Sequence, residues 1–327
     1  MDLSVNYLGL KLKSPIIAGS SSLPMKIENL KKIENAGAGA VVLRSLFEEE
    51  ITLEYEHLLK TASQSDPHMD YYDVKIKNDN INDYLNYIKE AKSKINIPII
   101  ASINCVSSHE WTYFAKKIED AGADAIELNM FIMPSDFEKN CVEIENTYLE
   151  IVDIIKKETS LPIAVKLSYY FADLAAFVKK ISQKVDGVVL FNRFFHPDFD
   201  IENFKIIPSN VLSRNTDIAI SLRWVSILAG RINGSLIAST GVHDGNSVIK
   251  EILAGADAVQ VVSALYKHGI GFIEDMITDL KDWMLRHDFK SLDEFRGKMS
   301  QINSKNPAAV ERVQFMKYFE SKNYDFE

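Results

Sequence analysis

Three times along this chain an amphipathic segment runs into a glycine and passes, with almost no loop, into an apolar strand. Ile33-Glu34-Asn35-Ala36-Gly37-Ala38-Gly39-Ala40 leads into Val41-Val42-Leu43. Ile118-Glu119-Asp120-Ala121-Gly122-Ala123-Asp124-Ala125 leads into Ile126-Glu127-Leu128, and Ile252-Leu253-Ala254-Gly255-Ala256-Asp257-Ala258 into Val259-Gln260-Val261. Glycine accepts the left-handed backbone that ends a helix, and a continuous apolar run suits a strand covered on both faces. A second phrase has the same grammar. Ile97-Pro98-Ile99-Ile100-Ala101 and Leu161-Pro162-Ile163-Ala164-Val165 each follow a Lys-bearing helical segment. Proline there stops the helix and opens a strand whose first N–H the ladder does not need.

Runs of this kind predict eight strands, β1 to β8, at 15–20, 40–45, 98–103, 125–129, 162–168, 187–192, 235–240 and 258–263. Helical periodicity fills most intervals, at 26–36, 81–94, 109–121, 143–158, 171–184, 244–254 and 271–286. Eight alternations predict an α/β fold of the (β/α)₈ TIM-barrel type; an open doubly wound sheet gives the same local signal, and the count of eight favours closure. Two connections exceed a plain turn, the one after β2 (46–80) and the one after β6 (193–222). These long β2–α2 and β6–α6 insertions leave strand C-terminal ends, the face on which barrel enzymes build lids and pockets. No Pro/Gly/Ser linker divides the chain, so residues 1–327 read as one domain, with 287–327 a C-terminal tail packing on it.

Charge narrows the partners. Against 46 acidic residues stand 37 basic ones, a formal charge of −9, and Lys and Arg are interleaved with Glu and Asp. No basic stripe forms for nucleic acid or an anionic membrane. Neither Cys105 nor Cys141 belongs to a CxxC pair, which excludes a cysteine-built zinc or iron–sulfur site and fits a reducing compartment; no metal is expected. Met1-Asp2-Leu3-Ser4-Val5 lacks the basic and apolar regions of a signal peptide, and no apolar run approaches bilayer length. The expectation is a soluble, cytoplasmic protein.

The strand ends carry the functional signal. In order they are Gly19-Ser20, Arg44-Ser45, Asn104, Asn129, Lys166, Asn192, Thr240-Gly241 and Ser263. One polar strand end means little, but eight converging on the mouth of a barrel predict a large polar ligand lying across it. Lys166 interrupts the apolar run Ala164-Val165-Lys166-Leu167 and calls for an anionic or electron-rich partner. A snorkelling surface lysine and a Schiff-base lysine, the latter implying a non-redox lyase or isomerase, are the competing readings. Thr240-Gly241 after β7 and Ser263 after β8 fall where many barrels bind phosphate on backbone N–H groups. Asn104, Asn129 and Asn192 donate and accept together, which suits a flavin ring or a pyrimidine.

These residues carry a resemblance to the dihydroorotate dehydrogenase family over roughly residues 5–300. Tyr7-Leu8-Gly9-Leu10, Ser14-Pro15 and Ala18-Gly19-Ser20 resemble its first strand, and Ala38-Gly39-Ala40-Val41-Val42-Leu43-Arg44-Ser45 its second. Glu127-Leu128-Asn129 and Val165-Lys166-Leu167 resemble the fourth and fifth; Thr240-Gly241-Val242 and Gln260-Val261-Val262-Ser263-Ala264-Leu265 resemble the phosphate-binding half. Lys290-Ser291-Leu292 and Phe295-Arg296-Gly297-Lys298 look like the closing segment of the soluble class. The resemblance implies FMN as cofactor, dihydroorotate or a related small molecule as substrate in pyrimidine biosynthesis, and a homodimer. It implies Gly19 and Ser20 near the flavin ring, with Arg44 and Ser45 beside the cofactor. Lys166 would contact the ring, Asn129 and Asn192 would face ring and substrate, and Thr240, Gly241, Ser263 and Ala264 would hold the phosphate; Asn104, read from its strand end, joins the substrate side.

The sequence also departs from the family. Where its fourth-strand loop supplies a cysteine or serine base, this chain reads Asn129-Met130-Phe131-Ile132-Met133-Pro134, so the base position is Ile132, or Met133 with the prolines aligned. Neither side chain accepts a proton. The family's flavin-side lysine is replaced by Arg44, and its Asn-rich substrate loop has no clear counterpart in 62–73. Ser135, Asp136, Cys105, His68 and His196 are the other groups able to act as a base, and Phe194 and Phe195 the aromatics able to stack on a ligand. A flavin-binding family member without catalysis is therefore a further reading.

Overall fold

The computed structural model describes residues 1–47, 69–104, 112–193, 196–209 and 211–311. Eight parallel strands form its centre: β1 Ile16–Ala18, β2 Ala40–Val42, β3 Ile99–Asn104, β4 Ala125–Asn129, β5 Ile163–Leu167, β6 Gly187–Leu190, β7 Ser235–Ser239 and β8 Ala258–Val261. Each pairs with the next, the β2–β3 seam through Val41↔Ile99 and Val42↔Ile100, and β8 returns to β1 through Val259↔Ile16 and Val261↔Ala18. The ring is closed, as the eightfold count predicts, and the open sheet is excluded because it would leave two free edges.

Among the described residues, the longer helices around it are α1 Ile27–Asn35, α2 Met69–Lys94, α3 Thr112–Asp120, α4 Cys141–Glu158, α5 Leu174–Ile181, α6 Ile218–Leu228, α7 Gly245–Ala254 and α8 Phe272–Arg286. Two correct the sequence reading. Helix α2 begins at Met69, so the β2–α2 connection is shorter than 46–80; the helix runs through Asn78-Asp79-Asn80, a cluster that favours turns in isolation. Helix α6 occupies the end of what reads as the 193–222 connection. Its segment Ile218-Ala219-Ile220-Ser221-Leu222 is apolar on several sides, with no polar face to mark a period. The same connection carries an antiparallel hairpin, Pro197–Asp200 with Lys205–Pro208. No helix among the described residues is long and apolar enough to cross a membrane.

The recurring phrase works by one local device. Gly37, Gly122 and Gly255 take φ of +95°, +94° and +121°, and the following Ala38, Ala123 and Ala256 N–H groups donate back to Ile33, Ile118 and Glu251 carbonyls at 3.2, 3.4 and 2.9 Å. These six-to-one bonds end the helices and aim the chain back at the barrel. Asp124, Asp186 and Asp257 accept an N–H at the start of the neighbouring strand, from Ile99, Ile163 and Leu236, at 2.7, 2.9 and 2.8 Å.

The bottom of the barrel is plugged. The hairpin Val5–Tyr7 with Leu10–Leu12 turns at Leu8 and Gly9, both with positive φ, and buries Tyr7 completely. A Cβ on Gly187, at the foot of β6, would stand 2.7 Å from Leu8 Cδ2, so glycine there lets the plug pack close without shifting the Leu8 side chain. Ligands therefore reach the barrel from the C-terminal mouth. Past α8 the chain hangs on the α6–α7 face, where Gly297 and Met299 N–H groups donate to Ile252 and Leu253 carbonyls and Gln301 N–H to that of Ser226.

Candidate active site

Polar side chains inside the barrel tie distant strands together. Lys166 on β5 donates from Nζ to Gln260 Oε1 on β8 at 2.7 Å and stands 3.6 Å from Glu127 Oε1 on β4. Gln260 Nε2 in turn donates to Glu127 Oε2. All three are buried, Glu127 and Gln260 almost completely. A lysine so committed is not the snorkelling cation of the bland reading. Nor is it the uncommitted amine a Schiff-base mechanism requires.

Above this layer a chain of hydroxyls and amides crosses the mouth. Ser20 Oγ lies 3.3 Å from Ser45 Oγ, which lies 2.7 Å from Ser102 Oγ on β3. Asn129 Nδ2 donates to Ser45 Oγ at 3.3 Å, and Asn129 Oδ1 accepts from Asn192 Nδ2. Asn129 is in register with Lys166 across β4 and β5. Side chains from five different strand ends are thus in one network. Asn104 is buried, and its Oδ1 has no hydrogen-bond partner.

This network opens into a cavity of about 480 Å³, within the range of small-molecule and cofactor sites. Of the residues singled out in the sequence, Ser20, Lys166, Asn192, Thr240, Gly241 and Ser263 line it. Gly19 lies against its wall, where a Cβ would stand 2.8 Å from Val262 Cγ2. Ala264 is fully buried in the short helix Ser263–His268. Arg44 is exposed, whereas its neighbour Ser45 is buried.

At the β7–β8 side the backbone is held in an unusual form. Thr240 and Gly241 both take positive φ, +77° and +83°, and Thr240 Oγ1 donates to the Phe191 carbonyl at 3.0 Å. A β-branched residue in the left-handed region is strained and persists where its surroundings fix it. Opposite, Ser213 is fastened three ways. Its N–H donates to Ser263 Oγ at 2.9 Å, its hydroxyl pairs with His243 Nε2 at 2.8 Å, and its carbonyl accepts from Lys267 Nζ at 2.8 Å. Burial, with the Lys267 charge beside it, holds the His243 imidazole below its ordinary range.

The position of the family base is aliphatic in space as well as in sequence. Ile132 is half-buried, and its N–H donates to Tyr148 Oη at 2.9 Å; burial pushes that phenol up to about 12. Met133, Ser135 and Asp136 are exposed or partly exposed on the same loop. His196 lines a smaller adjoining cavity of about 150 Å³ with Asn192, Tyr169 and Thr240. Cys105, His68, Phe194 and Phe195 lie outside the described residues.

Sequence reading missed Glu127, Gln260 and Ser213. The first two gave the signal that singled out Lys166, a polar side chain inside an apolar run, in Ile126-Glu127-Leu128 and Val259-Gln260-Val261. Ser213 gave none, since a serine in a long connection is unremarkable until the chain folds over Ser263.

Comparison with known proteins places the chain in a family. A family model described as Dihydroorotate dehydrogenase matches residues 2–284. The chain is 28% identical to the dihydroorotate dehydrogenase B (NAD(+)), catalytic subunit, of Thermoplasma volcanium, over 90% of this chain and 98% of the relative. Proteins of the same name from Thermoplasma acidophilum and Methanocaldococcus jannaschii are each 25% identical over 90% of this chain, covering 98% and 97% of their own lengths.

Proposed function

The chain belongs to the dihydroorotate dehydrogenase family, oxidoreductases acting on a CH–CH bond, and from that premise we propose that it oxidises dihydroorotate to orotate with FMN across the barrel mouth. The observation that carries this reading is that Lys166 and Asn192 line one cavity, with Asn129 hydrogen-bonded to Asn192 and in register with Lys166. The residues present fit the cofactor. The cavity offers the Lys166 ammonium and the Asn192 and Gln260 amides, suited to a ring rich in carbonyl and N–H edges, and the small residues Thr240, Gly241 and Ser263 leave backbone N–H groups approachable by a phosphate.

When bound, FMN supplies the hydride acceptor. The protein's contribution is placement and charge. Asn192 and the Asn129 bonded to it would hold a planar substrate by donating and accepting along its edge, with Asn104 a further amide at the end of β3. Lys166 would place positive charge beside the ring, and Ser20, Ser45 and Gly19 would shape the wall on its side, with Arg44 at the rim. Ser263 and Ala264 open the helix that receives the phosphate. Ile132 takes no proton, so the acceptor of the substrate proton is a group other than the residue at that position.

The named relatives are NAD(+)-type catalytic subunits, which supports NAD⁺ as the final oxidant and a further subunit as electron carrier. A homodimer fits the exposed Phe199, Phe204 and Ile206 of the 197–208 hairpin. Neither nucleic acid nor membrane is a partner in this reading, and the site of action is the cytoplasm.

The test is the visible spectrum of the purified protein, followed anaerobically while dihydroorotate is added. Bleaching of the flavin bands is the expected result. The aliphatic side chain of Ile132 favours one other reading, a family member that binds FMN without turning over; flavin bands that no donor bleaches would establish it.

A further inference from the structure

The Gln260 side chain has its two ends assigned by its neighbours. Lysine only donates and an ionised carboxylate only accepts, so the amide oxygen must face Lys166 and the amide nitrogen Glu127. No rotated amide satisfies both. Glu127 lies at the back of this relay, its Oε1 3.6 Å from Lys166 Nζ and without a hydrogen bond of its own. The other titratable groups near it are the phenols of Tyr7, from the N-terminal hairpin, and Tyr84, from α2; the Glu127 charge adds to the burial that pushes both up. Neither contends for the ammonium, since Tyr7 Oη has no partner and Tyr84 Oη is engaged with the Ser102 backbone.

A buried ion pair adds little stability for its desolvation, so a charged pair joined through an oriented amide in the barrel core asks for another purpose. We infer that Gln260 is a positioning residue for Lys166, that Glu127 fixes the orientation of its amide, and that together they hold the ammonium at the cavity wall. This role rests on the proposed function, because the group to which Lys166 is presented is the flavin. The relay joins β4, β5 and β8, so the ammonium is referenced to three strands of the barrel and not to the flexible arm of its own side chain.

The test is the midpoint potential of FMN bound to the full-length holoenzyme, measured by dye equilibration in wild type, Lys166→Met, Gln260→Met and the double variant. Positive charge beside the ring favours the reduced cofactor, so Lys166→Met lowers the potential. Gln260→Met changes no charge, yet is expected to lower it by about 30 mV, tenfold in the two-electron equilibrium constant, and to add nothing once Lys166 is gone. Gln260→Asn, which keeps the amide but cannot reach both partners, follows Gln260→Met and covers the case in which the methionine variant does not fold. Should a variant shed its FMN, the same comparison is read from the FMN dissociation constant. A wild-type potential in both Gln260 variants, or an equal drop on top of Lys166→Met, overturns the inference while leaving the function standing. A wild-type protein that takes up no FMN overturns the function, and this role with it.

Discussion

Gly241 is where a single residue has least freedom. Its φ is +83°, and a Cβ there would collide with the Ile218 amide at the start of α6, a backbone atom that cannot swing aside. Gly241→Ala is expected to lose roughly 1–3 kcal/mol of stability and at least tenfold in FMN affinity, checked by thermal unfolding and by equilibrium titration. Ile132 gives the opposite kind of prediction. Its side chain has no acid–base chemistry, so Ile132→Cys is expected to raise dihydroorotate turnover by at least tenfold, since a positioned base contributes about 10²–10⁴-fold; an unchanged kcat would show that another group already does this work. At this scale the sequence was legible where a polar residue breaks an apolar strand, as at Lys166, and that rule applied without favour would also have found Glu127 and Gln260. It was illegible at Ser213, whose importance arises only when a distant segment folds over Ser263.

Among the elements, the α6–α7 contact makes a pH-dependent prediction. Glu251 on α7 is completely buried; Ser221 on α6 donates to its Oε1 at 2.6 Å, and Oε2 has no partner. Burial pushes this carboxyl up to about 8 from the ordinary 4.5. Between those values the unfolded chain ionises while the folded one keeps its proton. Stability is therefore full below about pH 4.5 and falls as pH rises towards 8, with a slope approaching about 1.4 kcal/mol per pH unit. Glu251→Gln preserves the acceptor for Ser221 and is expected to remove that slope; urea midpoints at pH 5 and pH 8 check it, and an equal fall in both proteins would refute it. The same two helices mark what pattern reading recovers. Gly255 and Asp244 bracket α7, and the helix lies between them. Helix α6 lacks such signals, because serines on its buried face and isoleucines on its outer face blur the period. It was invisible until packed.

For the whole molecule, closure of the barrel follows from the count of eight strands, five of them entered through a glycine or proline stop signal, and the plug beneath leaves one open mouth. The 197–208 hairpin stands away from that frame with Phe204 93% exposed, more apolar surface than a lone monomer usually shows at one tip. Phe204→Asp is expected to shift sedimentation from a dimer to a monomer; a wild-type protein that is monomeric at every concentration would refute the homodimer. The mouth itself supports the main claim, and the most direct measurement is a fluorescence titration of flavin-stripped protein with FMN and with riboflavin. One FMN per chain should bind with quenching, and riboflavin, which lacks the phosphate for Thr240, Gly241 and Ser263, at least tenfold more weakly. No saturable FMN binding, or equal affinity for both, would contradict a cavity built for a phosphorylated flavin.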